Sequence, residues 1–173
     1  MPLVSSMNAA SGGNSSIEVR ASGAGSRIDL PELRSFIDVS SGSLDAGLPW
    51  SPSALYSRLE ALSEGIVSLG NVKTVQGVYV PLNASSTINL TTIEALTYSL
   101  IDINRAADFG LMVNATGTTF NVNGHSVNLS LLSQVAGTNI YVSGSVETVL
   151  PSVRSLLNDQ GHMAWQVSGA GSI

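Results

Sequence analysis

From residue 28 the chain reads Ile-Asp-Leu-Pro-Glu-Leu-Arg-Ser-Phe, and its apolar residues fall at the first, third, sixth and ninth positions: Ile28, Leu30, Leu33 and Phe36. The same nine-position pattern returns at 67–75, 88–96, 127–135 and 148–156. Position three is leucine every time: Leu30, Leu69, Leu90, Leu129 and Leu150. Position four is a breaker or a small polar residue: Pro31, Gly70, Thr91, Ser130 and Pro151. The starts lie at 28, 67, 88, 127 and 148, so the gaps are 39, 21, 39 and 21. A gap of 39 is close to two units of twenty. Two weaker copies fit the empty slots, 46–54 with Leu48 and Pro49, and 107–115 with Phe109, Gly110 and Met112.

A unit of that size cannot bury its apolar side alone, and stacked on its neighbours it builds a continuous core. Positions one and three alternate as on a strand, whose side chains flip faces at each residue. Position four breaks the run and position six resumes inside, which reads as strand, corner, strand. Apolar-x-apolar triplets at 17–19, 78–80, 140–142 and 165–167 add a further strand ahead of the motif. The expected fold is all-β: about seven coils near twenty residues each, with two or three short strands per coil joined by Ser, Gly, Asn and Pro corners. Residues 1–16 are expected to form a frayed partial coil, and 17–173 a single domain that stops in mid-coil.

Residues 51–65 depart from the pattern. Ser51 is a suitable helix cap, Pro52 suits a first helical position, and Gly65 suits an end. Leu55, Leu59, Leu62, Ile66 and Leu69 fall at helical spacing, which predicts a short helix there. Asn123-Gly124 reads either as a tight hairpin or as a coil corner.

Composition narrows the function classes. Charged residues are 11% of the chain, its formal net charge is −5, and Lys73 is its one lysine. Binding to a phosphate backbone needs clustered Lys and Arg, so nucleic acid is not an expected partner. The apolar 43% is spread over short segments with no run of eighteen, which argues against membrane insertion. Cysteine is absent, so no disulfide and no thiolate site exists. The first ten residues lack a basic, then apolar, signal-peptide pattern, and any export signal is expected outside this chain.

The phrase Ser-Gly-Ala-Gly-Ser occurs at 22–26 and again at 168–172. With R-A-S-G-A-G-S-R-I-D-L-P-E-L-R-S-F from residue 20 and W-Q-V-S-G-A-G-S-I from 165, the chain resembles the repeats of long secreted bacterial β-helix proteins, the hemagglutinin- and adhesin-like surface proteins. Arg34 stands where Thr is usual in that family, and 51–65 fit it poorly. The resemblance implies a right-handed parallel β-helix of the pectin lyase-like kind. It also implies an extracellular or cell-surface location and a structural or adhesive role. The partners it implies are glycans, extracellular matrix or other cell-surface proteins, together with neighbouring repeats of the same parent chain. It implies no catalytic residue.

Candidate chemistry is sparse. Two-carboxylate glycoside chemistry needs acids at a set separation. Asp29, Asp38, Asp45, Asp102, Asp108 and Asp159 neither adjoin nor recur at one position in successive coils. Gly124-His125-Ser126 weakly resembles a Gly-His-Gly element of pectin hydrolases, but His125 has no Asp pair nearby in sequence. His162 reads as a turn residue. Asp102 and Asp108 flank Arg105, which predicts a salt-bridged corner. Lys73 and Glu94 share position seven of stacked coils and are expected to pair. Trp50 and Trp165 offer either sugar-stacking faces or core plugs. Asn-x-Ser/Thr triplets at Asn14, Asn83, Asn89, Asn114 and Asn128 read either as glycosylation acceptors or as stacked corners. No metal, cofactor or catalytic set is expected. A non-catalytic adhesive segment is the leading reading. The alternatives are a polysaccharide-degrading β-helix enzyme and a leucine-rich-repeat-like recognition module built of strand plus helix.

Overall fold

The computed structural model describes residues 4–9, 15–39, 57–85, 87–156, 163–170 and 173. Among them the regular elements are all strands. In chain order they are β1 (Ser6–Ala9), β2 (Glu18–Ser22), β3 (Arg27–Leu30), β4 (Ser35–Asp38), β5 (Ser57–Leu62), β6 (Ile66–Leu69), β7 (Thr74–Gln76) and β8 (Val78–Leu82). Then follow β9 (Thr87–Ile88), β10 (Ala95–Thr97), β11 (Leu100–Ile103), β12 (Ala107–Asp108), β13 (Thr119–Asn123), β14 (Val127–Asn128), β15 (Asn139–Ser143) and β16 (Trp165–Ser168).

Every strand pair is parallel. The largest sheet runs β2-β5-β8-β11-β13-β15-β16. A second face holds β3-β6-β9 and, beyond a break, β12-β14; a third holds β1-β4-β7-β10, extended by bridges from Ala95 to Asn114 and on to Gln134. The chain visits the three faces in turn and then starts again one strand further along. Each circuit therefore stacks on the last, and most steps along the largest sheet are 19 to 21 residues, as from Tyr79 to Leu100 to Thr119 to Asn139.

The motif fixes the second corner. Leu33 N–H donates to the carbonyl of Leu30 at 3.3 Å, Ile93 to Leu90 at 3.2 Å, Met112 to Phe109 at 2.9 Å and Leu132 to Leu129 at 3.1 Å. Positions three to six thus form a β-turn whose two apolar ends both point inward, which is why the breaker sits between them. Position three becomes a column. Leu30 faces Leu69 across paired strands, and Leu69, Leu90, Phe109 and Leu129 are buried, with Leu30 and Leu150 packed against the same core. A second column, Val19, Leu59, Val80, Ile101, Phe120 and Ile140, comes from the inward face of the largest sheet. Burying such a side chain is worth about 1.5–3 kcal/mol, so these columns are the main source of cohesion.

A third corner, just before the largest sheet, repeats a left-handed residue: Gly77 at φ 66°, Tyr98 at 49°, Gly117 at 66° and Gly137 at 64°. Glycine takes that conformation without a Cβ penalty, and Tyr98 is the exception. Beside it runs a ladder of buried hydroxyls. Ser57 Oγ accepts from Ile17 N–H at 2.9 Å, Ser99 Oγ from Val78 N–H at 3.1 Å, and Thr118 Oγ1 from Ser99 N–H at 3.3 Å.

One of the two weak copies holds, and the expected helix needs correction. The weak copy at 107–115 is a true circuit, with Phe109, Met112 and Ala115 buried. The copy at 46–54 lies outside the described residues; the described strands on either side pair directly, β3 with β6 and β2 with β5. Across the step of 39 after residue 28, Ile28 therefore lies directly opposite Val67. The helix expected at 51–65 is overturned over its described part, since Ser57–Leu62 is β5; 51–56 lie outside the described residues. Leu59 and Ala61 alternate inward opposite Val19 and Ala21, and the strand's backbone is engaged by β2 and β8 on either side. Asn123-Gly124 is a corner and not a hairpin, as β13 pairs in parallel with both β11 and β15.

Close stacking makes a testable demand at position four. A Cβ on Gly70 would lie 2.5 Å from the carbonyl oxygen of Pro31 and 2.7 Å from its Cα. At the same repeat position, a Cβ on Gly110 meets first the movable side chain of Asp108, at 3.1 Å. Gly70→Ala is expected to cost roughly 1–3 kcal/mol by forcing backbone apart, and Gly110→Ala clearly less. Urea denaturation of the two variants checks this; equal costs would contradict the stacking of residue 70 under Pro31.

Candidate functional site

The outward side chains of the largest sheet line up in rows, because the parallel register places equivalent positions side by side about 4.8 Å apart. At the N-terminal end the rows are charged. Glu60 is almost fully buried and pairs with Arg58 at 2.7 Å and Arg20 at 3.1 Å. The Arg58 guanidinium also lies 4.9 Å from the ring centre of Tyr79, a cation–π distance. The Tyr79 hydroxyl donates to Asp102 Oδ2 at 2.6 Å.

Asp102 joins this network to a polar cleft on the same face. Its Oδ1 accepts from Asn121 Nδ2 at 2.7 Å. Asn123 Nδ2 donates to Asn104 Oδ1 at 2.9 Å, and Ser143 Oγ reaches Asn123 Oδ1 at 3.4 Å. Tyr141 stands next to Asn121 in register, and Gln166 next to Tyr141. The cleft has a volume of about 370 Å³ and Asp102 is the one carboxylate lining it.

Burial first, then the hydrogen bond to Asp102 and the charge behind it, push the Tyr79 hydroxyl well above the usual tyrosine range. A folded-state value raised above the unfolded one stabilises the fold fully below the unfolded pKa of about 10, and that contribution is lost as pH rises through the folded value. The stability gap between the wild type and Tyr79→Phe, measured by urea denaturation, should therefore hold up to about pH 10 and narrow above it. A gap that stays constant would remove the Tyr79–Asp102 coupling.

The sequence candidates are mostly dispersed. Arg105 does not bridge Asp102 and Asp108 as expected: it donates to the carbonyl of Ile88 at 2.9 Å and to that of Ala106 at 3.3 Å. It thereby spans the break between β9 and β12, and burial lowers its pKa. Asp108 instead accepts from Asn128 at 2.8 Å. Lys73 and Glu94 pair at 2.7 Å, both about half exposed, so the pair contributes little. His125 is exposed at the corner after β13, with no hydrogen bond or ion pair to a carboxylate among the described residues. Trp165 packs on the core and donates to the carbonyl of Thr138 at 3.0 Å. Trp50, Asn14, His162, Asp45 and Asp159 lie outside the described residues.

Three of the Asn-x-Ser/Thr triplets, at Asn89, Asn114 and Asn128, have a structural use. Asn89 Oδ1 accepts from both the N–H and the hydroxyl of Thr91, at 3.0 and 2.7 Å. Asn114 does the same with Thr116 at 2.9 and 2.8 Å, and Asn128 accepts from Ser130 N–H at 3.1 Å. These are Asx-turns, in which the side chain stands in for a backbone acceptor. The cleft itself was not singled out from the sequence. Its signal was present as Asp102, Asn121 and Tyr141, spaced 19 and 20 residues apart on outward strand positions.

No family model, curated protein or solved structure matches this chain. No cluster of three or more His, Cys, Asp or Glu is arranged to hold a metal among the described residues, and no helix there is long and apolar enough to cross a membrane.

Proposed function

We propose that this chain is a non-catalytic, structural and adhesive segment of a larger secreted or cell-surface repeat protein, wound as a right-handed parallel β-helix. All-parallel sheets visited in cyclic order support the winding. Strand–crossover–parallel-strand connections are right-handed in about 98% of cases, which supports the hand. The observation that carries the role is the outer face of the largest sheet, which presents rows of Asn, Asp, Tyr, Ser and Gln side chains, with Asp102, Asn121, Asn104, Asn123 and Ser143 hydrogen-bonded from one circuit to the next. Such a face offers a long contact surface for glycans, matrix or cell-surface proteins. A chain with 11% charged residues and one lysine suits contact through neutral polar groups.

The polysaccharide-cleaving alternative is less well supported, since two-carboxylate chemistry finds a single acid in the cleft. The strand-plus-helix recognition module has no helix among the described residues. Beads carrying the folded chain, passed over glycan-, matrix- and cell-coated surfaces, test the proposal. Retention that disappears when the chain is unfolded supports it. Release of reducing ends from polygalacturonate, or retention indifferent to folding, would overturn it.

A further inference from the structure

We propose that the cleft between Asp102 and Gln166 is a binding site for a neutral, linear glycan laid across the strands of the largest sheet. The inference rests on the adhesive reading above and gives it a place and a ligand class.

The backbone beneath the cleft is already used. β11, β13, β15 and β16 bond to one another in continuous parallel register. A peptide strand adds to a sheet edge through free main-chain groups, and this is a face, where only side chains are on offer. What they offer is amides, one carboxylate and a phenol, the groups that recognise hydroxyls as donors and acceptors at once.

Asp102, Asn121 and Asn104 are each anchored on one side and open on the other. Asp102 receives Tyr79 and Asn121, one on each oxygen, and each oxygen keeps acceptor capacity. Asn121 spends one N–H on Asp102, which leaves its carbonyl oxygen for a ligand hydroxyl. Asn104 accepts from Asn123 and keeps both N–H groups. Tyr141 and Gln166 have no hydrogen-bonded partner among the described residues. Groups held in place beforehand lose less freedom on binding.

Spacing and charge narrow the class. Asp102, Asn121, Tyr141 and Gln166 occupy one row on four successive strands. Their pitch of about 4.8 Å is close to the length of one ring in an extended hexose chain, so successive rings can meet equivalent groups. The single carboxylate and the absence of Lys or Arg in the lining disfavour uronic acids and sulfated sugars.

Calorimetric titration of the full chain with a neutral β-linked glucan hexaose, and separately with hexagalacturonate, tests the proposal. Saturable binding of the neutral sugar is expected, weak or absent binding of the acidic one, and a loss of roughly ten-fold or more in affinity for Asn121→Ala. Tyr141→Phe keeps the ring and the packing and removes the hydroxyl; it should weaken binding while the melting temperature stays unchanged. Gln166→Ala, at an exposed position, gives a third reading free of folding effects. The proposal is overturned by no binding of neutral sugar, by binding indifferent to all three substitutions, by preference for hexagalacturonate, or by displacement of the sugar by an unrelated polar peptide. Those failures leave the adhesive reading standing if coated beads are still retained; loss of fold-dependent retention with sugar binding intact would break that reading alone.

Discussion

Phe109→Ala is expected to remove about 4 kcal/mol of stability, near the centre of the range for emptying a buried aromatic site. Phe109 is fully buried at position three of its circuit, the one place where the leucine column carries an aromatic ring. Its ring meets that of Phe120 edge to face, with centroids 6.1 Å apart and planes at 80°. The substitution therefore opens a cavity and breaks an aromatic contact worth about 0.5–1.5 kcal/mol more. In a stack whose circuits touch only their neighbours, the damage should stay local. Hydrogen exchange should speed up in β11 to β14 well before β2 and β5. The melting temperature should fall by roughly 10 °C for a chain of this size. A loss below about 1 kcal/mol, or exchange that rises evenly along the chain, would mean that residue 109 is not stacked in the core.

Asp38→Ala comes next, at about 3 kcal/mol. Asp38 ends β4 and Ser57 begins β5, so the two close the base of the segment between them. The carboxylate is fully buried and its Oδ2 accepts from Ser57 N–H at 3.0 Å and Ser57 Oγ–H at 2.7 Å. The same Ser57 hydroxyl oxygen then accepts from Ile17 N–H, passing the link to the preceding circuit. Without the carboxylate two buried donors lose their acceptor, each costing about 1–3 kcal/mol. Asp38→Asn retains one carbonyl oxygen and should cost less. Urea denaturation of Asp38→Ala, Ser57→Ala and the double variant measures the coupling, expected at about 1–3 kcal/mol. Additive losses would show that the carboxylate and the serine do not act together.

The inward positions could be read in advance because burial leaves a period in the sequence. Leu30, Leu69, Leu90 and Leu129 had to be apolar wherever the strands paired. Pairing itself leaves no such trace. Two gaps of 39 residues looked alike, yet across the first β3 pairs directly with β6, while the second contains β12, which pairs with β14. The difference was visible at position six, where 107–115 has Met112, a core residue, and 46–54 has Ser51. The predicted helix failed for a related reason. Leu55, Leu59, Leu62 and Ile66 match a helical face, but Leu59 and Ala61 also match a strand, and the open edges of β2 and β8 decide between the two. The cleft was hidden because its residues are ordinary outward Asn, Asp and Tyr. They become a site only once register places Asp102, Asn121 and Tyr141 side by side. The buried hydroxyl ladder was missed too, since Ser99 and Thr118 look in sequence like any corner residue.

Distances between spin labels on position two test the stacking itself. The chain has no cysteine to remove. Paired labels go on Asp29 with Asn128, and on Asp29 with Val149, each pair introduced as two cysteines. Pulsed electron resonance should give about 19 Å for the first pair, four steps of one strand spacing, and about 24 Å for the second, five steps. Spacings that include an additional circuit between residues 29 and 68, or that do not grow with the number of circuits, would contradict the stack on which the proposed contact surface depends.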